Sequence, residues 1–181
     1  MKYRETITLK DGRQALLRNA DASDGQAVFE VFNQTHAETD YLLSYPEENS
    51  FTAEEEADFL QKKADSDNEI EIVAEVDGTV VGTAGIEAFG GKYKVRHRAD
   101  FGISVLKAYW GLGIGKALTA ACIQCARDAG YTQLELNAVA DNDRAIALYK
   151  SVGFEEYGRN PLGFNSKLTG YQPLLYMRLE L

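Results

Sequence analysis

The spacing of hydrophobic residues changes along the chain between the period of a strand and that of a helix. Alternating apolar and polar positions predict strands, and apolar positions three and four apart predict helices. With the turn signals between them, these patterns predict strands over 14–18, 69–76, 79–89, 95–105, 133–139, 154–158 and 174–181, and helices over about 21–36, 52–66, 114–129 and from 141 or 142 to 153.

Short polar signals mark several of the element boundaries. Ser23 with Gln26, and Thr52 with Glu55, have the spacing of a capping box and predict two helix starts. The dipeptide at 77–78 is Asp-Gly, which is favoured in tight hairpin turns. The two strands that flank it are therefore predicted to pair antiparallel.

The order of the elements predicts the fold class. Antiparallel strands come first and a β-α-β-α-β unit follows, so we expect an α+β fold with a mixed, mostly antiparallel sheet flanked by helices. The 181 residues suit a domain of ordinary size. No repeat or linker interrupts the pattern, and we expect a single domain over residues 1–181.

The charge of the chain bears on its partners. The net charge is −9 and the sequence pI is about 4.8, whereas nucleic-acid binding depends on a cationic surface. We therefore expect no nucleic-acid partner. Between residues 38 and 71, acidic residues are opposed only by Lys62 and Lys63. This acidic cluster is either a solvated helix face or a surface that attracts a cationic amine.

Apolar runs are short throughout the chain. None approaches the roughly 20 residues that span a bilayer, and the first residues are not followed by the apolar stretch of a signal peptide. The sequence thus predicts no membrane partner and a cytoplasmic location.

The two cysteines lie three residues apart, at Cys122 and Cys125, inside a predicted helix. A redox C-x-x-C motif begins instead where a strand turns into a helix, so both are expected to be core residues. With His36 and His97 they are too few for a structural zinc site, and no metal is predicted.

Three alternating glycines, Gly111, Gly113 and Gly115, stand between a predicted strand and the helix that follows it. Glycines at such a junction leave backbone amides open to a bound anion, and the helix N-terminus favours negative charge. The segment therefore predicts a phosphate cradle, with a glycine-rich turn that binds no ligand as the alternative.

The spacing of these glycines excludes two familiar cradles. A dinucleotide fingerprint needs a third glycine, but Lys116 or Leu118 stands at the required position. A nucleoside triphosphatase loop needs a glycine where Trp110 stands, and Ser or Thr where Ala117 stands. Neither type of nucleotide site is therefore expected.

Two blocks of sequence resemble the GNAT superfamily of acyl-coenzyme A-dependent N-acetyltransferases. The first block is WGLGIGKAL at 110–118, and the second is NDRAIALYKSVGF at 142–154. The detailed resemblance covers about residues 70–160. In the family, the first position of the loop is usually Arg or Gln, whereas this chain has Trp110. The resemblance implies a GNAT-like acyl-CoA N-acyltransferase fold with acetyl-CoA as co-substrate.

The resemblance also implies which residues bind the coenzyme. Amides of 112–116 would hold the pyrophosphate, the strand at 103–105 would contact the pantetheine arm, Asn142 would lie near that arm, and Tyr149 would lie near the sulfur. Asn142 as a helix cap and Tyr149 as a core aromatic are the alternatives. The cofactor-binding residues predicted in this way are Ile103, Ser104, Val105, Trp110, Gly111, Leu112, Gly113, Ile114, Gly115, Lys116, Asn142 and Tyr149.

Direct attack of an amine on the thioester requires oxyanion stabilisation, a proton for the sulfur and a neutral amine. The resemblance assigns Tyr149 as the proton donor and an amide near Val105 to the oxyanion. Glu87 is the preferred base, with Asp100 and His97 as alternatives. A chain of water that serves an already neutral amine, or a purely structural role for these three residues, is also open.

The acceptor is predicted only as a primary amine of a small molecule or protein. The segments 38–51 and 159–171 are expected to shape its pocket, with an aromatic lining from Tyr41, Tyr45, Phe164 and Tyr171. A noncatalytic acyl-CoA-binding or sensing domain on the same fold is the alternative function. A homodimer is possible, because families that resemble this one often form one.

Overall fold

The computed structural model describes residues 1–181. Eight strands and four α-helices follow one another in the chain: β1 (Arg4–Thr8), β2 (Gln14–Asn19), α1 (Gly25–Glu38), α2 (Ala53–Asp65), β3 (Ile70–Val76), β4 (Thr79–Ala88), β5 (Arg98–Val105), α3 (Ile114–Asp128), β6 (Gln133–Val139), α4 (Asp143–Ser151), β7 (Glu155–Ser166) and β8 (Gly170–Glu180).

All eight strands belong to one sheet, in the order β1-β2-β3-β4-β5-β6-β8-β7. Every neighbouring pair is antiparallel except β5 and β6. The parallel pair is joined only between 98–100 and 133–135. Beyond these residues the two strands part, and the sheet opens towards their carboxyl ends. The predicted α+β class with a mixed, mostly antiparallel sheet is confirmed.

Local signals account for several element ends. Thr52 Oγ1 accepts a hydrogen bond from Glu55 N at 3.2 Å, and the Glu55 carboxylate accepts from Thr52 N, which confirms the second capping box. The predicted box at Ser23 is wrong, because Asp21 and Asp24 form a box that starts a short 3-10 turn ahead of α1. An Asp side chain at the first position competes well for these amides.

The faces of the sheet carry different chemistry. Glu71, Gly85 and Gly102 are register partners on β3, β4 and β5 and share one face, and Lys63 of α2 contacts Glu71 there. Phe101 points to the opposite face, where its ring meets that of Tyr149 of α4 edge-on at 6.2 Å. Helices α1 and α2 therefore cover one face, and α4 covers the other beside α3.

The helix α3 supplies much of the second face's core. Cys122 and Cys125 are buried and unbonded, as predicted for core residues. Burial raises the pKa of both thiols, that of Cys125 to about 11. Since reactive cysteines need a lowered pKa, neither thiol is set up for redox chemistry.

The sequence pattern missed strand β1 and about half of the β7–β8 hairpin, namely 159–166 of β7 and 170–173 of β8. β1 is an exposed edge strand without a clear apolar face. β7 contains Gly158, Pro161 and Gly163, and its pairing with β8 is irregular between Asn160 and Phe164. Glycine and proline normally indicate a strand's end, which is why the prediction stopped at 158.

No helix in the structure is long and apolar enough to cross a membrane.

Candidate active site

The opening between β5 and β6 lies at the carboxyl ends of two parallel strands. Crevices at such ends are the usual ligand sites of sheets with parallel strands. The chain after β5 leads into the glycine segment and α3, and the chain after β6 leads into α4. The two sequence blocks at 110–118 and 142–154, far apart in sequence, thus meet at one edge of the sheet.

The glycine segment presents a run of free backbone donors. None of the amide N–H groups from Gly111 to Lys116 donates a hydrogen bond within the protein. The first turn of any helix leaves its amides without intrahelical partners, and the helix dipole adds partial positive charge there. The loop and the start of α3 therefore fit an extended anion such as a diphosphate.

Left-handed backbone conformations shape this loop. Gly111 has φ +83° and Gly113, the residue that caps α3, has φ +104°. Residues with a Cβ are strained in this region. These two glycines turn the chain so that consecutive amides point outward on one side, as the cradle requires.

Trp110 replaces the polar residue usual at this loop position, and the structure shows what it does instead. Its indole Nε1 donates a hydrogen bond to the Val105 carbonyl at 2.6 Å, which ties the loop to the end of β5. The Arg144 guanidinium lies over the indole ring, 5.4 Å from its centroid. Trp110 therefore positions the cradle, but it brings no positive charge to a bound anion.

Arg144 is a candidate that sequence reasoning missed. Its Nη2 atom would lie 3.2 Å from a Cβ placed on Gly111, so its positive charge borders the free amides. Only the fold brings the first turn of α4 to the loop, and no spacing in the sequence indicates this contact. Arg144 supplies the cation that position 110 lacks.

The strand segment Ile103–Val105 forms one wall of the opening. It pairs with β4 on one side, and past Asp100 it has no partner in β6 on the other. Its free edge is therefore available to an extended ligand with amide groups. The Val105 carbonyl is taken by Trp110, so Ile103 and Ser104 remain the better contacts.

Asn142 has the role that its cap alternative predicted. Its Oδ1 accepts from Ala145 N at 3.2 Å at the start of α4. The side-chain amide of Asn142 donates no hydrogen bond within the protein. The same residue thus caps the helix and keeps a free donor at the opening.

Tyr149 lies on the inner side of α4 and packs against Phe101 and Phe154. Its hydroxyl has no hydrogen-bond partner in the protein, yet no fully buried polar atom lacks one, so the hydroxyl reaches the protein surface. Burial raises the pKa of Tyr149 to about 12. The residue is both a core aromatic and a protonated, unengaged donor.

On the opposite face, a cleft of about 580 Å³ lies between the sheet and the helices α1 and α2. Its floor comes from β3, β4 and β5, and its aromatic wall includes Phe32, Phe51 and Phe59. We call it the carboxylate cleft after its charged lining, which consists of Glu48, Glu56, Lys63, Glu71, Glu87 and Asp100.

Lys63 is the single ammonium group of the carboxylate cleft and is almost wholly buried. Its Nζ lies 3.0 Å from Glu71 and 3.1 Å from Glu87. Burial opposes its charge, but the two carboxylates prevail and raise the pKa of Lys63. A Cβ at Gly85 would collide with the Glu71 carboxylate, so the glycine makes room for this arrangement.

The three residues predicted as candidate bases lie in different surroundings. Glu87 lines the cleft but is held by Lys63. Asp100, its register partner on β5, has no ion-pair or hydrogen-bond partner, and partial desolvation together with the Glu135 charge raises the pKa of Asp100. His97 is exposed and does not line the cleft. Asp100 is thus the best placed free acceptor of a proton.

The aromatic residues predicted to line the acceptor pocket do not line the carboxylate cleft. None of Tyr41, Tyr45, Phe164 and Tyr171 lines the cleft, although neighbours within 42–51 do. The Tyr45 hydroxyl instead donates to Ser166 Oγ at 3.5 Å and accepts from Lys167 N at 2.8 Å. The segment 159–171 belongs to the hairpin of β7 and β8, whose tip packs against the segment 38–51 through these contacts and through the hydrogen bond that Ser166 Oγ donates to Asp40 at 2.6 Å.

Glu56 is a buried carboxylate whose effect on stability depends on pH. Burial and the Glu71 charge raise the pKa of Glu56, and Lys63 lowers it by less. A carboxyl with a higher pKa in the folded state favours folding while protonated and loses that contribution as pH rises through the folded pKa. Glu56→Gln should therefore raise the unfolding midpoint by about 2 to 4 °C near neutral pH. Thermal unfolding between about pH 4 and 8 measures the effect.

The pH dependence of the unfolding midpoint distinguishes a stabilisation caused by removing the Glu56 charge from one caused by a change in packing. The stabilisation should shrink as pH falls and disappear below about pH 4, where wild-type Glu56 becomes protonated in both the folded and the unfolded state. Glu54→Gln, an exposed position on the same helix, should leave the midpoint unchanged. A Glu56→Gln protein that is less stable than wild type at neutral pH would contradict the prediction.

Comparison with known proteins gives a consistent family. The profile of the acetyltransferase (GNAT) family matches residues 32–154. N-alpha-acetyltransferase RimI of Mycobacterium tuberculosis is 42% identical over 81 residues, which are 45% of this chain and 49% of that protein. L-amino acid N-acetyltransferase AaaT of Escherichia coli K12 is 29% identical over 148 residues, which cover 80% of this chain and 85% of that protein.

Solved structures agree with the sequence relatives. The crystal structure of a GNAT family acetyltransferase from Streptococcus pneumoniae superposes with a TM-score of 0.88 at 29% identity, over 92% of this chain and 99% of that one. The family profile extends from α1 to the last residue of the second sequence block. It therefore includes both the free amides of the glycine loop and Tyr149, and the chain belongs to the acetyltransferase (GNAT) family.

Proposed function

We propose that this protein transfers an acetyl group from acetyl-CoA to a primary amine by direct attack. The observation that carries the proposal is the run of free amides from Gly111 to Lys116 at the mouth of the opening between β5 and β6. RimI and AaaT, to which the chain is similar, are both named as N-acetyltransferases.

In this proposal the two substrates bind on opposite faces of the sheet. The amide cradle and Tyr149 face the α3 and α4 side, and the carboxylate cleft faces the α1 and α2 side. The opening beyond Asp100 joins the two sides, because no backbone ladder closes it. An amine in the cleft and a thioester in the opening can therefore meet at β5.

Acetyl-CoA, when bound, supplies an activated acetyl group on a thiol leaving group. The loop amides and Arg144 hold its phosphates, the free edge at Ile103 and Ser104 binds the pantetheine amides, and Asn142 donates a hydrogen bond beside them. No buried carboxylate competes for the loop amides within the protein. Of the residues predicted for the coenzyme, Val105 and Trp110 have no direct contact in this division, because the Val105 carbonyl accepts the hydrogen bond of the Trp110 indole.

Asp100 takes the proton from the acceptor amine better than Glu87 does. Its carboxyl is free and its pKa is raised above that of an ordinary aspartate, whereas Lys63 occupies Glu87. Glu87 contributes by fixing Lys63 next to the floor of the cleft. No feature of the site favours a noncatalytic sensing domain, since a sensor needs neither a free Tyr149 hydroxyl nor a carboxylate opposite it.

Thermal unfolding and thiol release test the proposal together. Acetyl-CoA should raise the unfolding midpoint by mass action, and addition of amines should release free thiol in proportion to the amine. A midpoint that does not move at millimolar acetyl-CoA would refute the coenzyme site. A shift without thiol release from any primary amine would refute the transferase activity. The cytoplasmic location, the homodimer and the single domain over 1–181 stay predictions.

Gly102→Val should weaken binding of the acceptor amine without affecting binding of the coenzyme. Gly102 lies on the cleft floor beside Asp100, and a Cβ there meets no atom within 4 Å. The added side chain fits the strand but fills acceptor space, so KM for the amine should rise about tenfold or more. Steady-state kinetics with varied amine and varied acetyl-CoA measure the two effects separately.

Gly91→Val is the matched control, because Gly91 also has open space around it and lies in a turn outside the cleft. It should leave both KM values unchanged. Equal amine KM values for Gly102→Val and wild type would show that acceptors do not bind over β5.

A further inference from the structure

The carboxylate cleft holds more negative charge than its own cation can balance. Five carboxylates line it, against the ammonium of Lys63, and Glu71 and Glu87 already neutralise that ammonium. Glu48 is bonded to the Tyr45 amide. Glu56 and Asp100 are left without a cation.

Glu56 is the second, independent feature. Its residue is 8% exposed, yet its carboxylate forms no ion pair and no hydrogen bond in the protein, although it lines the cleft. No fully buried polar atom of the protein lacks a hydrogen-bond partner, so the Glu56 oxygens reach the surface of the cleft. Their charge is still largely removed from solvent without a partner, which is costly. Such a group is tolerated where a ligand provides the missing partner, and the ligand must then be a cation or a strong donor.

The cleft offers no free cation to an anionic acceptor. Lys63 is enclosed by its two carboxylates, and burial lowers the pKa of His36, whose Nδ1 lies 2.7 Å from the Phe32 carbonyl. The imidazole is therefore neutral with its proton on Nδ1. An acceptor with a carboxylate of its own, such as an α-amino acid, would meet only like charge.

We propose that the acceptor is an aliphatic diamine, with one amine at Asp100 and a second, charged ammonium on Glu56. The proposal rests on the proposed acetyl transfer and names its acceptor class. The rings of Phe51 and Phe59, in edge contact at 6.1 Å, give an apolar wall for the carbon chain between the two nitrogens. The neutral amine attacks the thioester carbon, the carbon–sulfur bond breaks and the proton of the attacking nitrogen passes to Asp100. The sulfur leaves as a thiolate that accepts a hydrogen bond from Tyr149 and then takes a proton from solvent.

Kinetics with matched amines test the proposal. 1,5-Diaminopentane, 1-aminopentane and 5-aminopentanoate share a chain length and differ only in the distal group. The diamine should show a kcat/KM at least about tenfold above that of the monoamine, which corresponds to about 1.4 kcal/mol, and the amino acid should be the poorest. Glu56→Gln should bring the diamine down to the monoamine. Glu54→Gln, the exposed neighbour, should preserve the preference.

A binding measurement separates this inference from the transferase activity itself. Titration of 1,5-diaminopentane into the protein saturated with free coenzyme A reports recognition without turnover. Binding that Glu56→Gln weakens about tenfold would support the diamine site even if no thiol were released. Equal kcat/KM for the diamine and the monoamine, or a preference unaffected by Glu56→Gln, would overturn the inference while leaving acetyl transfer intact.

Discussion

Gly113→Ala is expected to abolish useful binding of acetyl-CoA while leaving a folded protein. Gly113 has φ +104° at the start of α3, where an alanine is strained by about 1 to 2 kcal/mol. The chain relieves this strain by turning the neighbouring amides away from their common side. Losing one or two charge-assisted hydrogen bonds costs about 3 kcal/mol, so Kd should rise roughly 100-fold. Calorimetric titration with acetyl-CoA measures it.

Gly130→Ala controls for the strain itself. Gly130 follows α3 with φ +81°, and a Cβ there meets nothing within 4 Å, as at Gly113. Both substitutions should lower the unfolding midpoint to a similar extent, but only Gly113→Ala should weaken coenzyme binding. If Gly113→Ala binds acetyl-CoA as tightly as wild type, the amide cradle is not the coenzyme site.

The sequence predicted best those features that depend on neighbours along the chain. The Asp77-Gly78 turn, with φ +51° and +79°, the Thr52 capping box and the glycine loop each occupy a few consecutive residues. Their physical requirements, a left-handed backbone or a side chain that reaches a nearby amide, can be recognised from residue types alone.

Features that depend on register could not be predicted in this way. The contact of Lys63 with Glu71 and Glu87 joins three elements, and the identity of its partners follows only once β3 and β4 are aligned. For this reason the sequence could not show that Lys63 pairs with Glu87, the residue predicted as the base. Arg144 reaches Trp110 because α4 and the loop meet at the same sheet edge, a tertiary relation with no local signal.

The unpartnered state of Tyr149 suggests that the residue is retained for chemistry as well as packing. Tyr149→Phe keeps the ring contacts with Phe101 and Phe154 and removes a hydroxyl that no protein group uses. Stability should be unchanged, whereas kcat should fall about 100-fold, the lower range for loss of one hydrogen bond that stabilises charge in the transition state. The KM for acetyl-CoA should stay near the wild-type value. Steady-state kinetics and thermal unfolding of the same preparations measure these effects.

The raised pKa also determines how Tyr149 acts. A simple thiol has a pKa of about 8.5, so a tyrosine with a pKa of about 12 stabilises the departing sulfur by donating a hydrogen bond and stays protonated. Loss of this proton should therefore not reduce activity at any pH below about 10. Tyr131→Phe removes a buried hydroxyl bonded to Asn68, so it should lower stability and preserve kcat. If Tyr149→Phe turns over at the wild-type rate, the hydrogen-bond donor to the departing sulfur is a different group. The loop amides and Asn142 can fill that role only if they reach the sulfur.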